Sequence, residues 1–185
     1  MKKKIVLLNA ENIKQMQWGA INGCEAASLL EGLHLKNKIT EVSYGEFLKT
    51  MPISKSGNPY EGFGGSPYKN QPGKFEAIFT RPLKKWASRF DETIDLDGSD
   101  PDTFYSQLQK ENPVLVFVTV HFESPQWEEY AFGRAPENNH AVLLDGIDYQ
   151  KDLVHLSDPI DGKYWLKKEK FERIYATRKM ALSIL

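Results

Sequence analysis

The spacing of apolar positions separates a helical first half of the chain from a strand-rich second half. The stretch "KKIVLLNA" carries one short apolar run and predicts a short strand, while "KQMQWGAING" has no periodicity and reads as a loop closed by Asn22-Gly23. Beyond it Ala26, Ala27, Leu29, Leu30 and Leu33 recur at helical spacing, which predicts a helix with Cys24 at its N-terminal end. "SYGEFLKTM", "PLKKWASRF" and "PDTFYSQLQKE" predict three further short helices, the last with Asp100 placed to cap it ahead of Pro101. The pattern then changes. "PVLVFVTVHF" is a continuous β-branched strand, and "NHAVLLDGIDYQ" and "DLVHLSDPI" are two more, joined by the turn signal "YQKD" into a hairpin. "KEKFERIYA" predicts a short helix and "KMALSIL" a closing strand. Helices first and strands later, with no internal repeat, predict an α+β fold around an antiparallel sheet.

The segment from Pro52 to Pro82 interrupts this order. "PISKSGNPYEGFGGSPYKNQPGKF" is dense in Gly, Pro, Asn and Ser and carries Tyr60, Phe63 and Tyr68. A long ordered loop with aromatic residues is expected either to wall a binding site, with those three as subsites, or to pack as a surface loop.

Composition narrows the function classes. The 185 residues suit one domain, taken as residues 1–185, and 41% apolar with 12% aromatic residues supply a core. Lys and Arg number 24 against 25 Asp and Glu, a balance that offers no electrostatic footprint for nucleic acid or an anionic membrane. A single cysteine makes no intrachain disulfide and excludes a cysteine-cluster zinc site, so neither metal nor cofactor is expected. No stretch is long enough to span a membrane. The basic start "MKKKIVLLNAENIK" has too short an apolar run for a signal peptide. The compartment stays open between the cytoplasm and an exported form whose signal has been removed. The oligomeric state is open too.

The candidate chemistry begins at Cys24. A thiolate is a nucleophile, a helix N-terminus lowers a thiol's pKa, and the same helix start offers N–H groups to an oxyanion. A lone cysteine is most often an inert small hydrophobe. Of the four histidines, His34 lies just past the first helix as a surface or cap residue, and His121 and His155 fall within strands as packing or surface residues. His140 opens a strand after the polar loop "GRAPENN", where an imidazole can be aimed into a cleft as general base. If residues 140–149 pair antiparallel with 153–158, position 140 faces roughly 160 and Asp158 returns beside His140 to orient its ring. The alternative is that Asp158-Pro159 is an ordinary turn. Taken together, Cys, His and Asp in that order follow the logic of a cysteine hydrolase.

At these residues the chain resembles a known family. "LNAENIKQ…INGCEAASL", "NPYEGFGGSPY" and "NHAVLLDGIDYQKDLVHLSDPIDGKYWLKKEKFERIY" resemble the bacterial C39-like, double-glycine-peptidase-like cysteine peptidases of the papain-like superfamily, over nearly the whole chain. The resemblance implies a papain-like fold in which an N-terminal helix carrying the cysteine packs on an antiparallel sheet carrying the histidine and the aspartate. It implies Cys24 as nucleophile, His140 as general base and Asp158 as its orienter. A glutamine before the cysteine would help bind the oxyanion; Gln15 ends the "LNAENIKQ" block, and Gln17 is nearer the cysteine. The implied activity is cleavage of peptide bonds in a peptide or protein substrate through an acyl-enzyme. Leader peptidases of this kind are usually fused to a transporter, and the chain reads instead as a stand-alone peptidase. An amidase or acyltransferase with the same triad, or an inactive peptide-binding relative, are the competing readings.

Overall fold

The computed structural model describes residues 3–185, arranged around one antiparallel sheet. In chain order the elements are β1 (Ile5–Leu7), α1 (Cys24–Leu35), α2 (Tyr44–Leu48), α3 (Thr80–Ala87), β2 (Thr93–Asp95), α4 (Pro101–Gln109) and β3 (Val114–Thr119). The hairpin β4 (Trp127–Tyr130) and β5 (Gly133–Pro136) follows, then β6 (Asn139–Asp148), β7 (Leu153–Asp158), β8 (Gly162–Lys167), α5 (Lys168–Tyr175) and β9 (Ala181–Ile184). The main sheet runs β2-β9-β3-β6-β7-β8, and β1 pairs with β6 at its far end. The expected α+β class holds, and Asp100 does precede α4, although its side chain makes no capping hydrogen bond.

Both faces of the central strands are covered, which is why β3 and β6 are buried along almost their whole length. Side chains alternate between faces with a period of two. Leu115, Phe117, Ala141, Leu143 and Leu182 join one core with α1, α2 and α3. Val114, Val116, Val142, Leu144 and Leu156 join the other with α4 and α5. The apolar stripe foreseen for α1 understates its position: every residue from Cys24 to Leu33 is buried, because the helix lies between the sheet and α2.

Four strands escaped the sequence reading. The loop "GRAPENN" contains β5, whose glycine, arginine and proline around a single alanine give no apolar run. Its partner β4, the three-residue edge strand β2 and the half-exposed β8 are equally poor in apolar pattern. Between Val118 and Phe122 the predicted long strand ends early, where His121 turns into the left-handed region at φ 54°.

Asn22-Gly23 meets a steric demand. A Cβ on Gly23 would fall 2.0 Å from the Tyr44 hydroxyl, which donates a 2.7 Å hydrogen bond to the Gly23 carbonyl. Gly23→Ala is therefore expected to push α2 off the start of α1 and to lower stability by about 1–3 kcal/mol in a denaturant melt. An unchanged midpoint would show that Tyr44 yields without loss.

Candidate active site

The hairpin β6–β7 builds the acid–base pair. Leu143 pairs with Ser157, so Asp158 falls opposite Val142 and His140 is its diagonal neighbour on the same face. The His140 Nε2–H donates to Asp158 Oδ1 at 2.7 Å, with both side chains buried. Three more donors fix that carboxylate: the Ile160 N–H at 2.8 Å, the Asp161 N–H at 3.2 Å and the Tyr164 hydroxyl at 2.9 Å. Burial alone would raise the Asp158 pKa, but the hydrogen bond and charge of His140 with the two backbone N–H groups outweigh it and hold the carboxyl below its ordinary range. With Nε2–H engaged, the neutral ring carries its lone pair at Nδ1, which has no hydrogen-bond partner.

The segment between β1 and α1 is held to the same end of the sheet by buried acceptors. A bulge in β6 at Asp145 lets its carboxylate accept both the Ala10 N–H at 2.7 Å and the His155 Nδ1–H at 2.5 Å. Glu31, on α1, accepts the Ile13 N–H at 2.7 Å. Asn12 donates to Ser157 Oγ and to the Asp158 carbonyl, and the Gln15 N–H reaches the Pro159 carbonyl at 3.1 Å. The chain thus delivers Gln15 into the interior, 1% exposed, where its Nε2 donates to the Ile21 carbonyl at 2.8 Å and its Oε1 is unpartnered. Gln17 faces solvent on the other side of the turn.

Cys24, His140 and Gln15 line one cavity of about 590 Å³, open to solvent. Asn22, Asn139, Tyr130, Glu137 and the 70–76 stretch, which includes Lys74, form much of its wall. The long loop therefore does form a wall, but not through the three aromatics foreseen: Phe63 is wholly buried in the core, Tyr60 and Tyr68 are half exposed, and none of them touches this cavity. Phe75 contributes instead. The remaining histidines lie elsewhere: His34 pairs with Glu11, His121 with Asp161 on the surface, and His155 with Asp145.

The state of the thiol differs from the sequence expectation. A helix start favours a thiolate, but burial dominates here and pushes the Cys24 pKa well up, with the charge and hydrogen bond of Glu25 adding to it. The S–H donates to Glu25 Oε2 at 3.2 Å. Glu25 carries no role in the sequence reading, and α1 holds a second glutamate, Glu31, so a charge within the helix does not single it out. The first turn of α1 leaves the Cys24 N–H without an intrahelical acceptor, beside the same sulfur. Among the described residues no group of three His, Cys, Asp or Glu could hold a metal ion, and no helix is long and apolar enough to cross a membrane.

Helix-borne cysteine, strand-borne histidine and aspartate, and the sheet around them give the fold shared with C39-like peptidases. The chain belongs to the Peptidase_C39 like family, whose pattern it matches over residues 7–182. It is 30% identical to the uncharacterized protein YvpB of Bacillus subtilis, over 82% of this chain, and spans 62% of that relative's length. In structure it is similar to a candidate C39-like peptidase from Bacillus anthracis, with a TM-score of 0.83 and 23% identity over 98% of this chain and 96% of that one. It is also similar to a double-glycine-motif protease from an AMS/PCAT transporter, solved with a leader peptide. There the TM-score is 0.58 and the identity 18%, over 97% of this chain and 94% of that one.

Proposed function

We propose that this chain is a thiol hydrolase that cleaves peptide bonds, working as one domain over residues 1–185. The observation that carries the reading is the shared cavity of Cys24 and His140, with the imidazole pinned by Asp158 and its Nδ1 lone pair unclaimed. Rotation of the Cys24 side chain toward Nδ1 lets His140 take the S–H proton as the sulfur attacks a substrate carbonyl. Asp158 stabilises the imidazolium that forms and fixes its orientation. The Cys24 N–H and the Gln15 amide, whose second N–H is left after Ile21 takes the first, supply donors for the oxyanion. His140 then protonates the leaving amine, and water, deprotonated by the same imidazole, releases the acyl group from the sulfur. The family, and a fold shared with a protease solved on a leader peptide, support an extended peptide as the substrate class.

The roles of the two glutamines separate cleanly. Gln15→Ala is expected to lower kcat for a peptide substrate by about 10²–10³-fold, the usual loss for one oxyanion donor, while Gln17→Ala leaves it within about two-fold. Equal effects of the two substitutions would remove Gln15 from the oxyanion site. Incubation with a mixed peptide library, read by mass spectrometry, tests the class of reaction: new peptide termini support hydrolysis, whereas products joined to an added amine without free acids would favour an acyltransferase.

A further inference from the structure

The acid that follows the nucleophile is buried without exposure, in the first turn of α1, and it touches the reacting atom. Glu25 Oε2 accepts the Cys24 S–H at 3.2 Å, while His140 Nδ1, the atom that should receive this proton, has no partner. The other carboxylate oxygen, Oε1, accepts from Asn139 Nδ2 at 3.4 Å. Asn139 in turn accepts from Arg178 Nη1 at 3.0 Å, and that guanidinium lies 4.7 Å over the Phe79 ring. The carboxyl is therefore fixed between the sulfur and the residue that precedes His140. Nothing in the cleavage scheme above uses it.

We propose that Glu25 is a positioning residue that gates the nucleophile: ionised, it keeps the thiol proton turned away from His140, and protonated, it frees the thiol and donates a hydrogen bond to the sulfur as it becomes anionic. The inference rests on reading Cys24 and His140 as the nucleophile and base. The proton count closes. In the active state the S–H proton passes to His140 Nδ1, giving thiolate and imidazolium, and Glu25 keeps its own proton as the donor to sulfur. In the resting state Glu25 is the anion and Cys24 the donor.

Both forms of Glu25 are accessible near neutrality. Burial raises its pKa to about 7, opposed in part by its own N–H, the Cys24 thiol, the charge of His140 and the Ile78 N–H. The other charged and titratable groups around the pair are Arg178, whose charge the carboxylate favours, Tyr44 from α2, and Asp158 from β7, which opposes a thiolate from the far side of His140. The sign follows: ionisation of Glu25 as pH rises places a negative charge against the sulfur and opposes its deprotonation.

Cys24 is the single cysteine, so its alkylation by iodoacetamide, followed by intact mass, reports on this sulfur alone. Glu25→Gln imitates the protonated acid at every pH. At about pH 6 the variant should react within about two-fold of the native protein, and at about pH 8.5 about ten-fold faster, equivalent to roughly one pKa unit on the thiol. Glu25→Met, which also removes the charge, should show the same widening ratio if the amide variant folds poorly. A native-to-variant ratio that is the same at both pH values, as a purely structural role would give, overturns the proposal. Alkylation needs no turnover. A pH-dependent ratio in a protein that cleaves no peptide would uphold the gate and refute the peptidase, and a flat ratio in one that needs Cys24 and His140 for cleavage would refute only the gate.

Discussion

Cys24→Ala is expected to reduce peptide cleavage by at least about 10³-fold, with the circular dichroism spectrum unchanged and stability within about 1–2 kcal/mol of the native protein. The two parts of this expectation have separate causes. Hydrolysis fails because no other thiol, serine or threonine lines the cavity beside His140: the remaining polar side chains of its wall are amides, carboxylates, Lys74 and Tyr130. Stability is nearly kept because a single sulfur atom is lost at the wall of a solvent-open cavity, and the Glu25 carboxyl it leaves still holds Asn139 on Oε1. Native activity in the variant would refute the thiol hydrolase outright.

Asp158 should be the most damaging site to alter. Its carboxylate collects four donors, from His140, Ile160, Asp161 and Tyr164, in a buried position. Asp158→Ala leaves all four unsatisfied and is expected to cost about 3–5 kcal/mol, enough to unfold a marginal domain. Asp158→Asn keeps the shape and some of the acceptors. It should fold, yet lose about 10²–10⁴-fold in kcat, because the amide no longer selects the ring tautomer that leaves Nδ1 free. The pH dependence follows from a lowered folded pKa. The contribution of Asp158 to stability is present above the ordinary carboxylate range near pH ~3.9 and is lost as pH falls through its depressed value, so its loss should show only in acid. Comparing native protein with Asp158→Asn in melts at about pH 3 and about pH 6 checks this: the difference between them should shrink at the lower pH.

The parts of this site that could be read from the chain are those fixed by local pairing. Counting back from the four-residue β6–β7 turn brings Asp158 near His140 before any coordinates are needed, but it takes the bulge at Asp145, which the sequence does not announce, to shift the register by one residue and set both on one face. The helix behind Gly23 was legible for the same reason, from spacing alone. What was not legible depends on neighbours distant in sequence. Whether the helix dipole or burial governs the Cys24 thiol is decided by how deeply α1 sits between sheet and α2, and burial wins. Phe63 and Phe75 look alike in the loop and both join the core, yet only Phe75 also reaches the cleft wall. Edge strands such as β8, half in solvent, carry too little apolar alternation to announce themselves. Gln15 is separated from Gln17 by the carboxylates of Asp145 and Glu31, both of which look from sequence like surface charges.

The central claim is that Cys24 and His140 act on one substrate carbonyl in one cleft. The most direct measurement is labelling by a peptide carrying a thiol-reactive carbonyl analogue, with the site mapped by mass spectrometry in the native protein and in His140→Ala. Rapid, saturable modification of Cys24 is expected, slowed by competing peptide and lost in the histidine variant. Modification at the same rate in both proteins, or none in the native one, would contradict the claim.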